Sequence, residues 1–182
     1  TAVVEFCISE LMPRHRTLDI EIELKPTIFE TDAEALCYPN TENSRPRDFV
    51  VEVDSRIWKP LSKKWARKDA RDDFIAGVCH EMVHVWQWVK GDLKDVYDRK
   101  LGNHGYRQMW KGKDYTDTPY SKLPWERQAY RMQETLLNKF KNSINNPIDS
   151  NNLNNLGKIF RIKILACFFS KNKKTIGAAN VD

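Results

Sequence analysis

Residues 80–84 read His-Glu-Met-Val-His, an HExxH motif. Two histidines four positions apart stand one turn apart on a helix, with Cβ atoms about 5–6 Å from each other, so both imidazoles can converge on one metal ion. Neutral imidazole nitrogens suit zinc, at about 2.0–2.1 Å. Glu81 is rotated about 100° around the same helix from His80, which lets its carboxylate reach a water on that metal rather than the metal itself. The chemistry implied is hydrolysis by an activated water, with Glu81 as general base.

A catalytic zinc usually takes three protein groups and a water, so two histidines leave one position to fill. The extended HExxHxxGxxH arrangement is excluded, because Gln87 and Lys90 stand where Gly and His are required. Glu126, His104 and the acids Asp92, Asp95, Asp98, Asp114 and Asp117 remain as candidates. Glu126 is favoured: it falls in the first turn of a second predicted helix, and Ala129 three residues on permits close approach of that helix to the first. A fourth protein ligand, from His104 or the acids, would instead close the site and describe a metal-stabilised interaction protein without turnover.

The elements that must position these groups are legible in the patterning. Leu18, Ile20, Ile22 and Leu24 alternate with Asp19, Glu21 and Glu23, the period of a strand with one buried face. Val51 and Val53 alternate with Glu52 and Asp54 in a second strand, and a short third is expected around Glu34 to Cys37. From about Asp69 to Lys90 the period changes. Ile75, Val78, Met82, Val85, Trp86 and Val89 form the stripe of an amphipathic helix that carries the motif and that Gly91 can end. Gly77 inside it predicts a close approach by a strand or loop, and Cys79 a buried thiol. Residues 91–123 show no sustained period and are expected to form a long structured loop. Pro124 then opens the second helix, with Trp125, Ala129, Met132, Leu136 and Phe140 on one stripe.

Composition bounds the rest. In 182 residues, 41% are hydrophobic and 11% aromatic, enough to build one globular core, and no apolar stretch approaches the ~20 residues of a membrane span. Cys7, Cys37, Cys79 and Cys167 form no CxxC pair and are expected to be reduced thiols. The first residues lack the basic flank and apolar run of a secretory signal, so the expected compartment is cytoplasmic. The net charge of +5 is unevenly spread: residues 138–182 carry +6 and the remainder −1. Beyond about residue 141 the chain turns Asn-rich and then apolar-basic. The expected division is therefore a domain at 1–141 and, at 142–182, a linker with a segment that docks as a further strand or helix.

The HEMVHVWQ stretch, Trp110-Lys111-Gly112 and Pro124-Trp125-Glu126-Arg127-Gln128-Ala129-Tyr130 together resemble small zincin-type metallopeptidase domains of phage and bacterial type, over roughly residues 48–137. The resemblance implies a zincin-like α+β fold: a small twisted sheet packed on the HExxH helix, with the second helix supplying a Glu ligand. It implies one zinc ion on His80, His84 and Glu126, Glu81 as the base, a peptide or protein substrate, and the host cytoplasm if the chain is phage-encoded. A weaker resemblance competes. Asn103-His104-Gly105-Tyr106 is similar to the segment supplying the third His in SprT-like proteases, which act on proteins attached to DNA. In that reading His104 is the third ligand, and the basic tail, with the Lys59–Lys68 run and its Trp65, recruits nucleic acid. Otherwise His104, Tyr106, Tyr115 and Tyr130 are candidates for stabilising the oxyanion.

Overall fold

The computed structural model describes residues 2–15, 17–25, 35–41, 45–54, 67–102, 105–145 and 159–166. Strand β1 (Thr17–Lys25) buries Leu18, Ile20 and Ile22, as its alternation requires. Strand β2 (Ala35–Pro39) lies antiparallel to β3 (Asp48–Asp54), which runs parallel to β1 on its other side. Phe49, Val51 and Val53 of β3 are buried with the β1 residues in one core. Val50, Glu52 and Asp54, on its other face, are buried too.

Helix α1 (Ala2–Leu11) is not signalled by periodicity, because Val3, Val4, Phe6, Cys7, Ile8 and Leu11 occupy much of its circumference. It packs Val4, Cys7 and Ile8 into the core. Helix α2 (Arg67–Lys90) carries the motif. Its end is a Schellman closure: Gly91 takes a φ of 78°, its N–H donates to the Trp88 carbonyl at 2.9 Å, and the Asp92 N–H donates to the Gln87 carbonyl at 3.0 Å.

Where a long loop is expected, the chain builds a second sheet. Strands β4 (Leu93–Tyr97), β5 (Tyr106–Trp110) and β6 (Lys113–Asp114) pair antiparallel, with two short 3-10 turns at Arg99–Leu101 and Tyr120–Lys122. Strands of two to five residues are too short to establish a period, so composition alone reads as irregular. The turn explains part of the Trp-Lys-Gly signature. Lys111 and Gly112 have φ of 48° and 82°, the left-handed pair that a two-residue hairpin with right-handed strand twist needs.

Helix α3 (Pro124–Asn145) runs antiparallel to α2, as the pairs Asp72–Lys141, His80–Gln133 and Gln87–Trp125 record. Strand β7 (Ile159–Ala166) then lies parallel beside β1, giving the sheet order β2-β3-β1-β7. The architecture is α+β. Among the described residues no helix is long and apolar enough to cross a membrane.

Candidate metal centre

The site is assembled from two antiparallel helices. Helix α2 turns His80, Glu81 and His84 inward, and Ala129, fully buried between the helices, lets α3 come close enough for a side chain from its first turn to reach them. Glu126 does so. Its Oε2 lies 3.3 Å from His80 Nε2 and its Oε1 lies 3.4 Å from His84 Nε2. The three donor atoms are within 4.8 Å of one another, and all three residues are buried. A tetrahedral ion with bonds of about 2.0–2.1 Å spaces its ligand atoms by about 3.3–3.4 Å, the separation of each histidine from its nearer Glu126 oxygen, so the three residues could hold one ion.

The hydrogen-bond chain behind the histidines fixes which nitrogen faces the site. Gln87 Nε2 donates to the Trp125 carbonyl at 3.1 Å and to Gln128 Oε1 at 3.0 Å. A carbonyl only accepts, so the amide nitrogen of Gln87 must point there and its Oε1 must point at His84 Nδ1, 2.8 Å away. His84 therefore carries its proton on Nδ1 and presents the Nε2 lone pair inward. His80 Nδ1 donates to Gln133 Oε1 at 2.8 Å in the same way. Two imidazole lone pairs and a carboxylate thus face a common point, an arrangement of acceptors that requires a cation or a proton between them.

The surrounding charges are consistent with this. For Glu126, burial acts to raise the pKa, but hydrogen bonds with His80, His84 and Tyr120 outweigh it and hold the carboxyl well below its usual range. Burial raises Glu81 against the opposing pull of His84 and His80, leaving a carboxylate biased toward accepting a proton. The site opens on a cleft of about 1020 Å³ walled by α2, β2, the β4–β5 hairpin and the start of α3. Cys37 of β2 lines it, and burial, then the charge of Glu81, push that thiol well up. Gly77 lines it as well. A Cβ built there meets nothing within 4 Å, so the expected close approach is absent and the glycine instead leaves the cleft open.

Of the residues singled out from the sequence, His80, His84 and Glu126 come together and Glu81 lines the same cleft. The acids Asp92, Asp98 and Asp114 are engaged elsewhere, the first with Lys90 and the other two with Arg107. Among the described residues no fourth His, Cys, Asp or Glu joins the cluster. His104, the Lys59–Ala66 part of the basic run and most of the tail lie outside the described residues. Tyr130 stacks edge-on against His80 at 4.6 Å between ring centroids, Tyr115 packs on Trp125 at 5.8 Å, and Tyr106 is exposed on β5. The sequence reading misses Gln133 and Tyr120, and finds in Gln87 only a residue that breaks a longer motif. Tyr120 donates to Glu126 Oε2 at 2.6 Å from a loop that has no period to reveal it. The free thiols Cys7 and Cys79 meet in the core at 3.8 Å, as a buried Cys79 predicts.

No protein-family model, curated protein or solved structure matches the chain.

Proposed function

We propose that the protein is a zinc-dependent peptidase with a zincin-like core. The observation that carries this reading is the convergence of His80 Nε2, His84 Nε2 and Glu126 within 4.8 Å, with both histidine Nδ1 atoms tied to glutamines and Glu81 beside them. Three protein donors leave a tetrahedral ion one open position, the mark of a catalytic rather than a structural site. A zinc ion held there would lower the pKa of a water toward about 7 and polarise a carbonyl.

The chain's own residues supply the rest. Glu81 accepts the proton of the attacking water and delivers it to the leaving amine. Tyr120 holds Glu126 in place from the mouth of the cleft. Strand β2 is the edge of its sheet, pairs only with β3 among the described residues, and lines the cleft along its length. Its outward backbone groups suit an extended peptide bound as an added strand, which favours a peptide over a compact small molecule.

The test is metal content by elemental mass spectrometry together with cleavage of a peptide library. Wild type should hold one zinc per chain. Glu81→Gln should keep it and lose about 10²–10⁴-fold in rate. Glu126→Ala should lose the metal and His104→Ala should not. Undiminished cleavage by Glu81→Gln, or no metal in wild type after zinc is supplied, overturns the reading.

A further inference from the structure

Among the described residues the cleft is lined by four carboxylates, Asp73, Glu81, Asp95 and Glu126, and by no lysine or arginine. Glu126 is committed to the metal and Glu81 to the water, which leaves two acids without a task. Asp73 lies seven residues before His80 on α2, about 10 Å along the helix axis. Asp95 is on the opposite wall, on β4, paired across the hairpin with Gln108.

The neighbours of Asp95 define a shape. Leu93, two residues before it, projects from the same face of the strand about 7 Å away and is buried opposite Trp110. Trp88 from the end of α2 and Trp125 from the start of α3 line the cleft with Leu93 and are themselves nearly fully buried. An apolar floor thus leads up to a single carboxylate with an amide beside it. The acids around it are ion-paired: Asp92 with Lys90, and Asp98 and Asp114 with Arg107. Asp95 alone of this group has no hydrogen bond or ion pair among the described residues; it stands exposed on the cleft wall, where partial desolvation raises its pKa.

We infer that Asp95 is the specificity-determining residue of the cleft and selects peptides carrying a lysine or arginine side chain. The three or four methylenes of such a side chain lie on Leu93, Trp88 and Trp125, and its cationic head meets the Asp95 carboxylate beside the Gln108 amide. A glutamate or aspartate in the same place is repelled. The inference rests on the peptidase reading for its substrate, but its test needs binding and not turnover.

The probes are a blocked ten-residue alanine-serine peptide with one central arginine, the same peptide with citrulline, which keeps the shape and loses the charge, and the same with glutamate. Binding to full-length, zinc-supplied Glu81→Gln protein is measured by calorimetry. The arginine peptide should bind at least about tenfold more tightly than the citrulline peptide. That preference should vanish on adding Asp95→Asn, and Asp95→Lys should turn it toward the glutamate peptide. Equal binding of arginine and citrulline peptides, binding of neither, or a preference that survives Asp95→Asn overturns the inference. Failure of wild type to cleave any peptide counts against the peptidase reading instead, whatever the binding shows.

Discussion

His84 is oriented by a residue that never touches the metal site. Gln87 is completely buried and spans from His84 to the Trp125 carbonyl and Gln128, so Gln87→Leu leaves the His84 N–H without its acceptor and Gln128 Oε1 without its donor. Zinc affinity should fall about 10–100-fold and stability by about 1–3 kcal/mol, read by chelator competition and by denaturant titration. Unchanged affinity would mean the glutamine does not orient the ligand. The histidine also sets a pH dependence. In the metal-free protein burial acts to lower the His84 pKa, but the Glu126 hydrogen bond and the charges of Glu81 and Glu126 outweigh it, for a net rise above 6.5. A raised histidine contributes stability that is fully present below its unfolded value and lost as pH rises through the folded one. The depressed Glu126 contributes above its ordinary 4.5 and loses that contribution as pH falls toward its folded value. The metal-free protein should therefore gain most from this pair between 4.5 and 6.5 and weaken above that range. Zinc binding needs the neutral imidazole, so the increment in Tm on adding zinc should grow from about pH 6 to about pH 8 while the metal-free Tm declines. Parallel curves would contradict this. Of these residues, His80, Glu81 and His84 were legible because their spacing matches one helical turn. Gln133 was not, since it lies 53 positions from His80, and Gln87, though only three residues from His84, is anchored by partners on α3 that lie 38 and 41 positions away.

At the scale of elements, the distance between α2 and α3 decides whether Glu126 reaches the histidines. Ala129 is fully buried at that junction, so Ala129→Leu should cost about 1–3 kcal/mol by overpacking and move α3 outward. Zinc should be lost while helical circular dichroism persists; retention of stoichiometric zinc would show that the helices have room to spare. Both helices and the strands β1 and β3 could be read from periodicity, and the start and end of the helices from Pro124 and Gly91. Sheet β4-β5-β6 could not. Its pairing depends on the left-handed turn at Lys111-Gly112 and on Trp110 packing against Trp125 at 6.2 Å between centroids, neither of which leaves a repeating signal in strands so short. The same irregular stretch supplies Tyr120 and Asp95, so the wall of the cleft was hidden with it.

For the whole molecule, the cleft and the C-terminal strand stand at opposite edges of one sheet, with β2 at the first and β7 at the second. Ending the chain after Asn145 should leave the His80–His84–Glu126 cluster intact but bare the edge of β1, whose partners on that side run from Ile159 to Ala166. An exposed apolar edge strand invites pairing with other chains, so the shortened protein should bind zinc and associate, as size-exclusion chromatography with metal analysis would report. A stable monomer with unchanged Tm would show that β7 contributes nothing to the sheet. What this sequence determined by itself is what local geometry encodes: the helical spacing of His80, Glu81 and His84, the alternation of β1 and β3, and a first-turn glutamate followed by a small residue at 129. What only the tertiary structure decided is what depends on contacts between distant segments. These are the tautomer-fixing glutamines, the tyrosine on Glu126, the edge strand along the cleft and the place of Asp95 on its far wall. Periodicity reports which face of an element is buried, but not against what, and a cleft is defined by the elements that meet around it.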